Sequence, residues 1–254
     1  MKLNTTIDDR LSKVPEVTLV FWVIKIAATT FGETAGDAVS MSMNLGYLLG
    51  TGIFAVIFVA AVGAQIAAKE FRPFLYWATI IASTTVGTTL ADFVDRSLGI
   101  GYAGGTTILV ALLVLSLFTW YRSLGSIAID TVRSPQSEMF YWVTIMFSQT
   151  LGTALGDWTA DTAGLGYLGG ATVFIVMLAM VVAAYFWTNI SRTLLFWAAF
   201  VLTRPLGAVV GDFLDKPVAN GGLALSRYSA SLALLAFIVV CILAFPQRAA
   251  RRAH

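Results

Sequence analysis

Read for polarity alone, the chain alternates long apolar runs with short polar breaks. The runs cover about residues 16–41, 44–68, 73–95, 101–121, 138–160, 166–188, 193–214 and 222–246. Each is close to the ~20 residues that a helix needs to cross the hydrocarbon core of a bilayer. None shows the sustained polar/apolar alternation of a barrel strand, which excludes a transmembrane β-barrel. The pattern predicts eight membrane-spanning helices.

The polar residues inside the odd-numbered runs are ordered. Gly32-Glu33-Thr34-Ala35-Gly36-Asp37 is followed by Gly46-Tyr47 and Gly50, and the same frame returns three times. Gly87 to Asp92 leads to Gly101-Tyr102 and Gly105, Gly152 to Asp157 leads to Gly166-Tyr167 and Gly170, and Gly207 to Asp212 leads to Gly221-Gly222. Each Asp has Gly five before it, a small residue just before it and Gly nine after it; Trp22, Trp77, Trp142 and Trp197 stand fifteen before. Such a repeat sets the architecture before any other consideration. The Asp spacings of 55, 65 and 55 pair repeat 1 with 2 and repeat 3 with 4, as duplication of a two-repeat unit would.

This frame resembles a family of bacterial integral membrane proteins of unknown function, whose members carry four tandem repeats of two transmembrane segments and a Trp. The resemblance covers about residues 17–245. It implies a fold and no activity.

Two helices per repeat return the chain to its starting side, so the four repeats are parallel and related by a pseudo-axis along the membrane normal. The expected fold is all-α and integral to the membrane: eight transmembrane helices as four parallel two-helix repeats, with the odd helices lining the centre. The expected division is an arm at 1–15, repeats 1 and 2 at 16–121, a linker at 122–137, repeats 3 and 4 at 138–246 and a basic tail at 247–254. Gly32/Gly36, Gly87/Ala91, Gly152/Gly156 and Gly207/Gly211 are small-xxx-small pairs that allow close helix approach in lipid. Gly46, Gly101, Gly166 and Gly221 are expected to open the returning helices.

Composition agrees: 58% of the 254 residues are hydrophobic and 12% charged, which is a polytopic membrane composition rather than a soluble one. One Cys, Cys241, and one His, His254, leave no disulfide framework, thiolate metal site or His relay. Residues 1–15 lack the apolar core of a cleaved signal peptide. No phosphate-cradling Gly-rich loop with its Lys is present, which excludes ATP-driven pumping by this chain alone.

Lys2, Arg10, Lys13, Lys69, Arg72, Arg122, Arg133, Arg192, Arg248, Arg251 and Arg252 fall on one side, against Arg96, Lys216 and Arg227 on the other. The positive-inside rule then assigns both termini to the cytoplasm of a bacterial inner membrane. The four repeated Trp residues would be belt anchors near the cytoplasmic interface.

Stepping back from each Asp in fours stays on one helix face. The faces read Lys25, Thr29, Glu33, Asp37; Ile80, Thr84, Thr88, Asp92; Ile145, Gln149, Thr153, Asp157; and Phe200, Arg204, Ala208, Asp212. Ionisable residues within membrane helices are costly and mark pathways or sites. Each Asp is expected in the last turn of its helix, where it opposes the helix dipole and needs a partner. Asp95, Asp161 and Asp215, in the turns, are expected to be solvated or capping.

Carboxylates, Thr hydroxyls and a Gln carbonyl suit hard cations. The candidate ion-binding residues are Glu33, Asp37, Asp92, Asp157, Asp212, Gln149, Thr88 and Thr153, the five carboxylates being the metal ligands. Lys25 and Arg204 are the expected counter-charges, and Glu33, one turn below Asp37, is placed to share a proton or metal with it. The expected function is secondary transport of a hard divalent cation, Mn²⁺ first, with export as one direction considered. The alternatives are a channel or transporter for another small solute, or a membrane scaffold held by structural ion pairs. No enzyme activity, resident cofactor or nucleic-acid partner is expected; the partners are the lipid bilayer and a small cation, and no oligomeric state is implied.

Overall fold

The computed structural model describes residues 12–250, so Lys2, Arg10, Arg251, Arg252 and His254 lie outside the described residues. Among the described residues eight α-helices follow one another: α1 (Leu19–Asp37), α2 (Gly46–Ala67), α3 (Pro73–Asp92), α4 (Gly101–Leu124), α5 (Pro135–Asp157), α6 (Gly166–Trp187), α7 (Arg192–Asp215) and α8 (Arg227–Ala244). Local chemistry marks their starts. Pro73 and Pro135 occupy first-turn positions that need no N–H, and Thr18 and Ser134 cap α1 and α5 by accepting from Phe21 N and Ser137 N. Six helices, α2, α3, α4, α6, α7 and α8, are long and apolar enough to cross a membrane. The other two, α1 and α5, are of similar length but more polar.

The outer turns repeat as well. Gly46, Gly101 and Gly166 open α2, α4 and α6 at φ of 75°, 74° and 64°, where a Cβ would be strained. The fourth turn differs: Gly221 ends a short 3₁₀ turn, and α8 begins only at Arg227, later than the apolar run at 222 suggested.

The odd helices form a closed ring in which α1 packs on α3, α3 on α5, α5 on α7 and α7 back on α1. Each even helix lies outside this ring, against the odd helix of the next repeat rather than its own: α2 on α3, α4 on α5, α6 on α7 and α8 on α1. Burial separates the two shells, with 72% of the apolar stretch buried in α3 and in α7 against 6% in α2 and 11% in α6.

Glycines set the ring spacing, and each contact is the same contact moved on by one repeat. A Cβ at Gly32 would overlap Thr84, at Gly152 the stem of Arg204, and at Gly207 Thr29, while at Gly87 it would lie 2.9 Å from the Gln149 carbonyl carbon. One turn further on, Gly36 faces Thr88, Gly156 faces Ala208 and Gly211 faces Glu33. Close backbone approach is what small residues supply where no hydrophobic force drives helices together.

At the end of the bundle that carries the termini, the repeated Trp residues are not belt anchors. Trp77, Trp142 and Trp197 are buried and Trp22 is half-buried. Each takes the aromatic ring that precedes the Trp of the previous repeat. The pairs are Phe21 with Trp77, Tyr76 with Trp142, Tyr141 with Trp197 and Phe196 with Trp22, at centroid separations of 5.4, 5.8, 6.2 and 5.8 Å. The Tyr76 and Tyr141 hydroxyls are 2.6 Å apart. This aromatic collar closes the axis, because stacked and edge-on rings fill a fourfold junction that aliphatic side chains fill less well.

Chain segments then cap the collar. Ala250 N donates to Val14 O and Glu16 N to Arg248 O. Ser12 Oγ donates to Ile129 O in the linker, and Lys13 Nζ reaches Glu138 at 2.7 Å and the last carbonyls of α2, those of Gln65 and Ile66.

Candidate functional site

At the opposite end the four motif carboxylates converge. Asp37, Asp92, Asp157 and Asp212 are each at most 3% exposed. None of the first three ends its helix. In repeats 1 to 3 the chain continues as a five-residue π-helical turn (Ala38–Ser42, Phe93–Ser97, Trp158–Thr162), so those Asp residues sit at an α-to-π junction. In repeat 4, α7 runs on as α-helix to Asp215 and stops before Pro217, which cannot donate to a further turn. The dipole argument for a last-turn Asp therefore does not apply in repeats 1 to 3, whereas Asp212 does lie in the last turn of α7. What partners the carboxylates is two side chains.

Arg96 Nε lies 2.9 Å from Asp92 Oδ1 and its Nη2 3.0 Å from Asp157 Oδ2. Lys216 Nζ lies 3.0 Å from Asp212 Oδ1 and also bonds Asp37. Each cation thus serves two carboxylates from neighbouring repeats. Arg96 and Lys216 stand four residues after the motif Asp in repeats 2 and 4, where repeats 1 and 3 have Met41 and Asp161. They therefore face each other across the ring, and the pseudo-fourfold axis is only twofold in charge. Burial works against the charge of Lys216, but Asp212, Asp37 and Asp215 outweigh it and hold the ammonium well above its ordinary range.

The turn acids divide. Asp161 is exposed as expected, whereas Asp95 and Asp215 are buried. Asp215 accepts from Arg227 Nε at 3.1 Å, and Arg227 also approaches Asp37 at 3.8 Å. A cavity of about 420 Å³ opens above the ring, lined by Met41, Arg96, Tyr102, Tyr167, Asp212 and Lys216 among others. Arg96 enters it between the rings of Tyr47 and Tyr102, 6.0 and 5.8 Å from their centroids.

One turn inward, Arg204 crosses the axis. Its Nη2 donates to Glu33 Oε2 at 3.0 Å, to Thr88 Oγ1 at 2.6 Å and to Thr153 Oγ1, so one nitrogen joins α7 to α1, α3 and α5. Thr88 Oγ1 lies 3.3 Å from Glu33 Oε2 and donates to Gly32 O. Gln149, in the layer below, donates weakly to Ser83 Oγ at 3.4 Å. Pro205, directly after Arg204, removes a helix hydrogen bond where the guanidinium enters the axis.

The carboxylates group in two sets whose ligand atoms lie within 4.8 Å of one another: Glu33 with Asp157 and Asp212, and Asp37 with Asp212 and Asp215. Glu33 therefore meets Asp157 and Asp212 across the ring rather than Asp37 on its own helix. Asp92, held by Arg96, joins neither set, and Asp215 enters one although its place in a turn gave no reason to expect it. Of the two expected counter-charges, Arg204 pairs with Glu33, while Lys25 has no acidic partner among the described residues; its ammonium lies 4.2 Å over the Phe200 ring. The cations that hold the Asp ring, Arg96 and Lys216, were missed. Their signal was present: Asp92-Phe-Val-Asp95-Arg96 and Asp212-Phe-Leu-Asp215-Lys216 are one motif written twice.

Comparison with known proteins gives a family. The family model described as Repeat of Unknown Function (DUF347) matches four times, over residues 20–71, 75–126, 140–191 and 195–248. Each match begins just before a collar Trp and ends beyond the even helix of that repeat. No curated protein and no solved structure matches the chain.

Proposed function

The chain belongs to this family of four-repeat proteins, whose description carries no activity, and from the site itself we propose that it is a secondary transporter of a small hard cation. In this reading all eight helices span the bacterial inner membrane, with both termini and the aromatic collar on the cytoplasmic side. The even helices face lipid, and the more polar α1 and α5 are sheltered in the inner ring.

One observation carries the reading: four equivalent Asp residues, one from each repeat, lie buried and bridged in pairs by Arg96 and Lys216 beside a cavity that Asp212 and both cations line. Carboxylate and hydroxyl oxygens there match hard ions such as Mn²⁺, Mg²⁺ or Ca²⁺. The cavity opens at the ring end and buried aromatic rings fill the collar end, which matches one of the two arrangements that alternating access requires. Arg96 and Lys216 are tethered cations that offset half of the ring's carboxylate charge when it is empty. An incoming ion displaces at least Lys216, which serves both Asp37 and Asp212.

The shared ion pairs also favour a second reading, a membrane scaffold whose charges only hold the bundle. The two separate in a thermal-shift screen of purified protein against Mn²⁺, Mg²⁺, Ca²⁺, Zn²⁺ and Na⁺, with Asp157→Asn and Asp212→Asn in parallel. A ligand that binds the folded state raises apparent stability by mass action. A shift for one hard cation, lost in both variants and followed by uptake of that ion into proteoliposomes, supports transport. No shift for any ion, with both variants destabilised, gives the scaffold.

A further inference from the structure

The inner half of the axis carries more basic than acidic side chains, a bias that the cation site does not use. Below the Asp ring the axis-facing positions hold two cations, Lys25 and Arg204, and one acid, Glu33. Both cations are fully buried, at 0% exposure. Arg204 commits one nitrogen, Nη2, to Glu33, Thr88 and Thr153, while its Nε and Nη1 have no hydrogen-bond partner among the described residues. Lys25 Nζ has none either, and meets only the face of Phe200. A ring face is a weak substitute for a counter-ion once an ammonium has left water.

The fold does not require these charges. Where repeat 1 has Lys25, the other repeats have Ile80, Ile145 and Phe200; where repeat 4 has Arg204, the others have Thr29, Thr84 and Gln149. The two exceptions stand on α1 and α7, which pack directly together, at positions one turn apart along the axis, roughly 6 Å. In the Arg204 layer Thr84 Oγ1 and Gln149 Oε1 are also without partners. Buried polar atoms rarely go unsatisfied, and several orphans along one stretch of an axis point to something bound among them.

We propose that a small monovalent anion, of the size and charge of a halide, binds on the axis between Lys25 and Arg204. Lys25 Nζ and the free Nε and Nη1 of Arg204 donate to it, and the Gln149 amide is placed to turn its NH₂ group inward. The anion offsets this basic bias and ties α1 to α7 below the Glu33–Arg204 pair. It lies on the collar side of the Arg204 guanidinium, so this site is separate from the carboxylate ring and does not depend on cation transport.

The test uses the whole chain, purified and equilibrated in sodium gluconate without divalent ions. Chloride or bromide then replaces gluconate at constant ionic strength and pH. The expected result is a saturating rise in Tm, roughly 5–11 °C at a hundredfold excess over Kd, and about one radiolabelled chloride retained per chain in equilibrium dialysis. Lys25→Arg retains both effects and Lys25→Met loses both. Equal Tm values in gluconate, chloride and bromide with no chloride retained overturn the site, as does an undiminished halide effect in Lys25→Met. Should Lys25→Met fail to fold, the dialysis stoichiometry of the natural chain still decides. Because divalent ions are left out, failure here leaves the cation reading untouched.

Discussion

Replacing Gly87 by Ala tests the claim that glycine contacts set the diameter of the inner ring. The added Cβ would lie 2.9 Å from the carbonyl carbon of Gln149, 3.0 Å from its Cβ and 3.0 Å from the nitrogen of Thr150. Comfortable carbon contacts are about 3.5–4.0 Å, so the shortfall is roughly 0.5–1 Å. Two of the three atoms are backbone, and no rotamer change relieves them; α3 and α5 must part. Overpacking of this kind costs about 1–3 kcal/mol, and the better helix propensity of Ala returns at most about 1 kcal/mol. Gly63 in α2 is the matched control, since a Cβ there meets nothing within 4 Å, and Ala is expected to stabilise by about 0.5–1 kcal/mol. For a chain of this length 1 kcal/mol moves Tm by roughly 2–4 °C. Thermal unfolding in detergent should therefore show Gly87→Ala several degrees below the natural protein and Gly63→Ala slightly above it. If Gly87→Ala is as stable as the natural protein, or both variants shift the same way, helix approach is not limited by these glycines.

Three further outcomes are expected. Glu33→Gln and Arg204→Met should each cost about 3–5 kcal/mol by stranding a buried charge, while the double variant recovers most of the loss; a double-mutant cycle on Tm measures this, and additive losses would show that the two groups are uncoupled. Lys216→Met should strengthen divalent-cation binding about tenfold or more by freeing Asp37 and Asp212, and unchanged or weaker binding would argue against a displaceable tethered cation. The charge of Lys216 is stabilised by its carboxylate neighbours, so its contribution is complete below the ordinary lysine value of 10.5 and is lost only as pH rises through the higher folded value. The Tm difference between Lys216→Met and the natural chain should stay constant from about pH 7 to 9, and a gap that closes within that window would mean that the ammonium is not held by the ring.

The repeats and the inner placement of the odd helices could be read from periodicity, because a register shared four times leaves few ways to pack; whether the four Asp residues meet, periodicity leaves open. Two features were not legible, for a common reason: they depend on neighbours in other repeats. The Trp residues look like interfacial anchors when each helix is read alone, and become a collar only when Phe21, Tyr76, Tyr141 and Phe196 arrive from the preceding repeats. Likewise Glu33 and Asp37 are one turn apart on α1, yet the ring turns Glu33 toward Asp157 and Asp212. Helix periodicity gives the face a residue occupies and not which neighbour's side chain it meets. Arg96 and Lys216 were a different case. Their repeated motif was visible, but residues beyond the apolar run read as loop, and the π-helical turn that carries Arg96 back over the ring leaves no mark in a polarity pattern.

The offset between shells has a consequence for biogenesis. Because α8 covers α1, the first helix made is completed by the last, and no repeat encloses its own inner helix. A chain released before α8 leaves the Thr34 face of α1 uncovered, including the hydroxyl that meets Ser231. Assembly cannot be finished repeat by repeat as the chain emerges from the ribosome; the inner ring closes only when α7 reaches α1, and α1 is covered only when α8 arrives. A premature stop between α7 and the start of α8 at Arg227 should therefore be damaging although the inner ring is complete, and the four parts depend on one another as one unit.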